Sequence, residues 1–209
     1  MRCVMCGKEF GEGSLRDILF GEDPLCESCR SQWLHQPLRY CLNGVPGESS
    51  YRYNEAFSSC LIQYKECGDE ALKDVFLFET RQQLARRYRG WTLCLMPSST
   101  RKQEQRGFSH LREMFAGTGL EILEPFEKTE DIVQKQLSYV QRQQMKAMIR
   151  WKEGVILPEK ILLCDDVITT GATLKGALQC INLQEHRVRI YTVAADTQGK
   201  RAKKGAEWA

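Results

Sequence analysis

One segment in the last quarter of the chain combines residue types that bind phosphate and sugar. The apolar run 161–164 ends in two adjacent carboxylates, and a loop of threonines with one glycine leads into a helix-like segment, 174–183. Ligands on open α/β sheets bind at the carboxyl ends of parallel strands. A loop of small residues opening a helix presents backbone N–H groups to a phosphate. Paired carboxylates accept hydrogen bonds from vicinal sugar hydroxyls or lie near a hydrated Mg²⁺. The segment therefore predicts a phosphorylated-ribose site formed by Asp165, Asp166, Thr169, Thr170, Gly171, Ala172 and Thr173.

This order of residues resembles the 5-phosphoribosyl-1-pyrophosphate (PRPP) signature of the type I phosphoribosyltransferases. The resemblance implies that the ligand is PRPP, bound together with Mg²⁺. A Walker A loop is excluded, because no Gly-Lys-Ser/Thr follows a glycine at the required spacing. The alternative is an ordinary strand–turn–helix unit in which a threonine caps the helix.

A second group of hydroxyls and cations follows another short apolar strand, predicted over 91–96. Segment 97–102 reads Pro-Ser-Ser-Thr-Arg-Lys, and an Arg-Gly pair comes four residues later. Cations and hydroxyls at a strand end suit an anionic ligand, and an arginine donates bidentately to phosphate. We expect a pyrophosphate-binding loop with His110 close to it; the alternative is a solvated basic loop. The loop comprises Ser98, Ser99, Lys102 and Arg106.

Four cysteines near the amino terminus have the spacing of a zinc site. Cys3 and Cys6 form one CxxC pair, and Cys26 and Cys29 form a second. Two such pairs complete a tetrahedral Cys₄ site, which leaves no open position and is therefore structural. The segment between the pairs is too polar to fold on its own core, so zinc would supply folding energy. A redox CxxC or two local disulfides are the alternatives.

Composition limits the class of protein. The chain has 209 residues and a net charge of +3, and no apolar run approaches the length of a membrane span. Charges occupy the amino terminus where a signal peptide needs apolar residues, so we expect a cytoplasmic protein without membrane insertion. Positive charge is local: segment 81–112 holds eight Arg/Lys against one acid, and four cations lie within 200–204. Such clusters bind phosphates even on a nearly neutral protein.

Short apolar strands alternate with helices along the rest of the chain, which predicts an α/β domain with a mostly parallel sheet. We expect a zinc-binding module over 1–41, a linker over 42–50 and the α/β domain over 51–209. Predicted helices cover 54–65, 69–89, 111–116 and 172–183. Predicted strands cover 91–96, 120–123, 160–164 and 188–194.

The order of these features resembles the ComF family, and the match is to its ComFC type. It rests on the CxxC pairs, the Tyr-x-Tyr-Asn element at 51–54, the strand ending in Pro-x-Ser, Arg-Gly-Phe at 106–108 and the PRPP motif. It implies a type I phosphoribosyltransferase fold carrying a zinc-finger-like module. Arg142 matches an arginine of the family's mobile lid, whereas Ser109-His110 and Met145 replace residues usual in the family.

The resemblance implies a competence protein that moves incoming single-stranded DNA into the cytoplasm, at the inner face of the membrane through partners such as a ComFA-type helicase-like ATPase. Two hypotheses follow. The chain is a phosphoribosyltransferase that releases pyrophosphate on an acceptor the sequence does not identify, or it binds nucleic acid with the same fold. In the second case aromatic residues would stack bases; the alternative is that these scattered aromatic residues belong to the core. The candidates are Tyr40, Tyr51, Tyr53 and Trp91.

Overall fold

The structure is a computed structural model that describes residues 1–11, 21–98, 100–128, 149–197 and 207–208, with only the backbone of 100–102 and 207–208. The strands are β1 (Leu34–Leu42), β2 (Val45–Arg52), β3 (Thr92–Leu95), β4 (Glu121–Leu123), β5 (Phe126–Lys128), β6 (Ile149–Trp151), β7 (Lys160–Ile168), β8 (Arg187–Ala195) and β9 (Glu207–Trp208). The helices are α1 (Glu27–Arg30), α2 (Glu55–Glu66), a 3₁₀ helix (Glu70–Val75), α3 (Arg81–Arg87), α4 (Thr100–Arg106), α5 (His110–Ala116) and α6 (Ala172–Gln179).

Seven strands form one sheet in the order β4-β3-β7-β8-β2-β1-β9, and β5 pairs with β6 in a separate ribbon. Strands β4, β3, β7, β8 and β2 run parallel, whereas β1 is antiparallel to both of its neighbours. The predicted α/β class with a mostly parallel sheet is confirmed. The apolar run 161–164 of β7 is completely buried between β3 and β8, as expected for a parallel strand covered on both faces.

The segment predicted as a linker, 42–50, comprises the last residue of β1, the turn of a β-hairpin and most of β2. β1 and β2 pair along their length through the two-residue turn Asn43-Gly44, where both residues have positive φ (50° and 79°). Asn-Gly is the preferred sequence for such a turn. The Gly, Pro and Ser content concealed a strand whose buried positions include Val45 and Tyr51. The predicted end of the zinc module at residue 41 therefore lies within β1.

Three other predicted elements have different bounds. The single helix predicted over 69–89 is a 3₁₀ helix and α3, separated by residues 76–80. Four consecutive side chains, 75–78, are buried there, and one face of a continuous helix cannot bury four residues in a row. Strand β7 extends to Ile168, because its pairing with β8 continues to the Ile168–Ala195 pair. Helix α6 ends at Gln179, four residues before the predicted end.

Helix α2 begins at a side-chain cap. The Asn54 side chain accepts a hydrogen bond of 2.9 Å from the Phe57 amide, which satisfies one N–H of the first turn. Phe57, Leu61 and Tyr64 are buried against the sheet. This packing fixes the last turn of α2, including Lys65, beside the carboxyl end of β7.

Within the described ranges, no helix has both the length and the apolar character needed to cross a bilayer.

Candidate functional site

The threonine–glycine loop connects the parallel strand β7 to helix α6. Gly171 has φ of +68°, and a β-carbon there would lie 2.9 Å from Leu42 Cδ1 at the hairpin tip. Only glycine fits this conformation and this contact without strain. The Thr170 hydroxyl accepts a 3.3 Å hydrogen bond from the Ala172 amide, while Thr169 is exposed and Thr173 is half-buried. The loop thus brings hydroxyls beside the helix N–H groups, which have no intrahelical partner.

The two adjacent carboxylates have different environments. Asp166 is 7% exposed; its Oδ2 pairs with the Lys65 ammonium and lies 3.1 Å from His110 Nε2. Asp165 is half-buried, and its Oδ1 accepts a 3.0 Å hydrogen bond from the Asp166 amide. Consecutive strand residues point to opposite faces of a sheet. Asp166 is therefore held by the protein, and Asp165 is the carboxylate accessible to a ligand.

A chain of hydrogen bonds fixes the protonation of His110. Its Nδ1 lies 3.2 Å from Arg106 Nη1, which can only donate, so Nδ1 accepts and Nε2–H donates to Asp166. Burial lowers the pKa of His110, although the hydrogen bond that it donates to Asp166 acts in the opposite direction. The imidazole is therefore neutral at pH 7. Helix α5 presents it, and the Tyr64 hydroxyl holds the His110 carbonyl at 2.8 Å.

Electrostatics also separate the two carboxyls. Burial, and then the nearby Asp166 charge, raise the pKa of Asp165 to about 7. Burial would also raise the pKa of Asp166, but the charge of Lys65 and the hydrogen bond from His110 hold it below its ordinary value. Asp166 is therefore ionised throughout the physiological range. Asp165 changes charge close to neutral pH, which is typical of a carboxyl at a functional site.

The predicted pyrophosphate loop lies next to the motif but is partly used within the protein. The Met96 amide donates to the Cys164 carbonyl at 2.9 Å, which holds the end of β3 against β7. The buried Arg106 guanidinium bonds Glu66 at 3.0 Å as well as His110, and its Nε has no partner among the described residues. Ser98 Oγ lies 3.4 Å from His110 Nδ1. The side chain of Lys102, and all of Ser99 and Arg142, lie outside the described part of the chain.

A cavity of about 130 Å³ opens beside this loop, at the end of β3. Ser98 and His110 line one side of it, and Lys128 and Lys152 bring two cations from β5 and the residue after β6. Glu124 and Glu127 also line it, so its charge is mixed. The cavity is polar, next to the motif and large enough for a small anionic group.

Lys65 and Glu66 belong to the candidate site, and no motif in the sequence indicated them. They lie in an ordinary amphipathic helix, about a hundred positions before the carboxylate that Lys65 neutralises. His110 was expected near the pyrophosphate loop, and the structure adds its contact with Asp166. No local signal marks such long-range pairs, because their chemistry depends on packing between α2 and β7.

The four amino-terminal cysteines converge on one point. Their Sγ atoms all lie within 4.8 Å of one another, and the Cys6–Cys26 distance is 3.8 Å. Four thiolates on a tetrahedral zinc with Zn–S bonds of about 2.3 Å would be separated by about 3.8 Å. All ten cysteines of the chain are free thiols, and these four are grouped. The donor set therefore fits the predicted zinc ion.

A buried ion pair joins the cysteine cluster to the main domain. Arg30, next to Cys29, donates to both Asp23 carboxylate oxygens at 2.7 and 2.8 Å and to the Val75 carbonyl at 3.1 Å. Its guanidinium also lies 5.0 Å from the centre of the Trp33 ring. Bidentate, desolvated contacts of this kind fix orientation. The cluster is thus anchored to the last residue of the 3₁₀ helix.

The aromatic residues considered for base stacking are mainly core residues. Tyr40 is 3% exposed and bonds Thr192, and Tyr51 is fully buried against Trp33. Neither ring can stack on a base in this structure. Tyr53 and Trp91 are half-buried.

Comparison with known proteins gives two similar competence proteins. No protein-family model matches the chain. Competence protein ComFC of Streptococcus pneumoniae is 27% identical, over 83% of this chain and 90% of that protein. Competence protein ComFC of Bacillus subtilis is 23% identical, over 86% of this chain and 88% of that protein. Both similarities cover nearly the whole of each chain, and together with the motif geometry they confirm the resemblance of this chain to the ComFC-type competence proteins.

Proposed function

We propose that the chain acts in natural transformation, where it handles internalised single-stranded DNA, and that its β7–α6 motif binds PRPP or a related phosphorylated sugar. The names of the two relatives support the competence role. The observation that carries the ligand proposal is the half-buried Asp165 carboxylate on β7, the strand that leads directly into the threonine–glycine turn before α6.

Each part of the motif has its own role in this proposal. The loop 169–173 receives the 5-phosphate on threonine hydroxyls and backbone N–H groups. Asp165 accepts hydrogen bonds from the ribose hydroxyls. Asp166, neutralised by Lys65 and His110, keeps the end of β7 rigid. Mg²⁺ would arrive with the pyrophosphate of the ligand and neutralise part of its charge.

Calorimetric titration of PRPP with Mg²⁺ into the purified protein tests the ligand proposal. The test variant is Asp165→Asn, because asparagine keeps the shape and leaves the Lys65–Asp166 pair intact. Asp74→Asn, an exposed carboxylate on the 3₁₀ helix, is the matched control. We expect saturable binding in the wild type and the control, and at least a tenfold weaker affinity in Asp165→Asn. Absence of binding in the wild type, or equal binding by Asp165→Asn, would contradict the proposal.

A transferase is the second candidate function, favoured by the cavity beside the motif. Lys128 and Lys152 line this cavity and are donors suited to a departing pyrophosphate. Catalysis would then rest on charge stabilisation and exclusion of water, with no protein nucleophile. Pyrophosphate release should rise above background with one member of a panel of nucleobases. If pyrophosphate release stays at background with the whole panel, the chain is not a transferase for these nucleobases and only the binding function is left.

The cysteine cluster would hold one structural zinc ion and present a surface for a protein partner, for which a ComFA-type ATPase is the candidate. A pull-down with that ATPase, comparing the wild type with a cluster variant, tests this docking role. Equal capture by both proteins would argue against it.

A further inference from the structure

A groove separate from the motif lies between α3 and the β8–β2–β1 part of the sheet. It encloses about 530 Å³, and three arginines from three elements line it: Arg39 of β1, Arg87 of α3 and Arg189 of β8. We call it the arginine groove. Arg189 is level with Leu162 in the sheet, whereas Asp165 is level with Thr192. The groove therefore lies toward the amino ends of the strands whose carboxyl ends carry the motif.

The charges of the groove are largely uncompensated. Arg39 and Arg189 are exposed, and neither forms an ion pair with any described residue. Arg187, two positions before Arg189 on β8, is likewise exposed on the same side of the strand. Elsewhere many cations are paired, as in Lys65–Asp166 and Arg30–Asp23. Unpaired arginines at one concave surface indicate an anionic partner.

Among the described side chains, the acids near the groove do not cancel this charge. Glu48 is within it, but its two oxygens bind Arg87 at 2.7 Å and the Tyr88 hydroxyl at 2.8 Å. Glu159 and Glu185 are exposed near the start of β8 and make no ion pair with Arg187 or Arg189.

A second, smaller recess of about 70 Å³ adjoins the groove, because Glu48 and Arg87 line both. Four of its ten lining residues carry hydroxyl groups. Ser50 Oγ lies 2.7 Å from the Tyr191 hydroxyl, and Thr80 is 3.4 Å from that hydroxyl. Ser49 also lines the recess, and its buried hydroxyl has no partner among the described residues. Arginines followed by neutral hydroxyls suit a ligand that alternates phosphate with polar, uncharged groups.

We propose that the arginine groove binds the sugar–phosphate backbone of single-stranded DNA. This inference rests on the DNA-handling part of the proposed function and assigns it a surface outside the PRPP motif. The arginine guanidinium groups donate hydrogen bonds to successive phosphates. The smaller recess, with its hydroxyl groups, receives the sugar or base edge between those phosphates.

The shape of the groove favours one strand over a duplex. A single strand can enter a concave groove and bring its phosphates to Arg39 and Arg189. A duplex is a wide, stiff cylinder, so we expect it to contact fewer of these arginines at once. The aromatic rings of the groove, Tyr40 and Tyr88, are buried, so binding depends on phosphate contacts and has little sequence preference.

Fluorescence anisotropy with a labelled single-stranded oligonucleotide tests the inference on the full chain. The test protein is Arg39→Ala/Arg189→Ala, and both side chains are exposed, so folding should be unaffected. The control is Lys73→Ala/Arg112→Ala, which removes the same charge from side chains that pair elsewhere with Glu113 and Glu124. We expect about tenfold weaker binding in the test protein at low salt. The slope of log affinity against log salt should fall by about 1.4, for two phosphate contacts at about 0.7 each.

The possible outcomes distinguish failure of the groove proposal from failure of the proposed function. If the wild type fails to bind the oligonucleotide, both the groove proposal and the DNA-handling role are wrong. The PRPP proposal is not affected by that result, because the PRPP titration tests it separately. If the wild type binds and the groove variant binds equally well, only the groove is wrong. An equal loss in the control would mean that net charge, and not the groove, determines affinity. Equal binding of a duplex, lost in the same variant, would overturn the preference for a single strand.

Discussion

The motif at the end of β7 and the arginine groove both concentrate charge, but they use it differently. At the motif, the buried Asp166 and Arg106 side chains have protein partners: Asp166 pairs with Lys65, and Arg106 contacts Glu66 and His110. In the groove, Arg39 and Arg189 face solvent and have no ion-pair partner among the described residues. Internal pairing fixes the positions of side chains in advance, as a small ligand of defined shape requires. Unpaired, exposed arginines adapt to a flexible polymer and release counterions when it binds.

The cysteine cluster is a third region to compare with these two, and we expect its folded structure to depend on a bound metal. Cys6→Ser should reduce bound zinc from about one equivalent to below half, because a Cys₄ site needs all four thiolates. The first thirty residues should then become sensitive to protease, since metal binding supplies their folding energy. Cys67→Ser, at an exposed thiol at the end of α2, is the control. Full zinc content in Cys6→Ser, measured by atomic emission, would refute the site.

Removing one cation from each region should give very different losses of stability. Lys65→Met leaves the buried Asp166 carboxylate without its main partner and should lower the free energy of unfolding by about 3 kcal/mol. Arg189→Met removes an exposed, unpaired charge and should change it by less than about 0.5 kcal/mol. Urea unfolding of the two variants measures the difference. Similar losses would mean that the regions do not differ as described.

Two glycines with positive φ test how tightly each loop is packed. Gly171→Ala should cost about 2 kcal/mol, from left-handed backbone strain and from the 2.9 Å approach to Leu42. Gly44→Ala, at the hairpin turn, meets open space and should cost only about 1 kcal/mol of backbone strain. Thermal unfolding of both variants checks the order. A smaller cost at Gly171 would indicate a loosely held motif loop.

The smallest effect is expected from the titration of Asp165, which solvent partly screens. Its pKa of about 7 lies above the ordinary 3.8, so the folded state binds more protons between those values. This carboxyl therefore stabilises the fold least above pH 7, and its contribution is lost as pH rises from about 4 to 7. The free energy of unfolding of Asp165→Asn, relative to wild type, should increase over that interval. A constant difference from pH 4 to 8 would show that Asp165 has an ordinary pKa.

The sequence was sufficient for features whose chemistry is local. The apolar run before Asp165 predicted the buried central strand, and the CxxC spacing predicted the cysteine cluster. It was insufficient where distant segments meet. Nothing around Lys65 indicates a partner at Asp166, and the Gly, Pro and Ser content of 42–50 concealed a strand that pairs on both sides. The arginine groove is likewise assembled by the fold, from residues of β1, α3 and β8.

One crossed experiment tests the separation of the two regions most directly. Asp165→Asn and Arg39→Ala/Arg189→Ala are each titrated with PRPP and Mg²⁺ and with a single-stranded oligonucleotide. We expect Asp165→Asn to lose PRPP binding and to retain oligonucleotide binding. We expect Arg39→Ala/Arg189→Ala to lose oligonucleotide binding and to retain PRPP binding. If either variant loses both ligands, or neither variant loses any, the motif and the groove are not two independent binding regions.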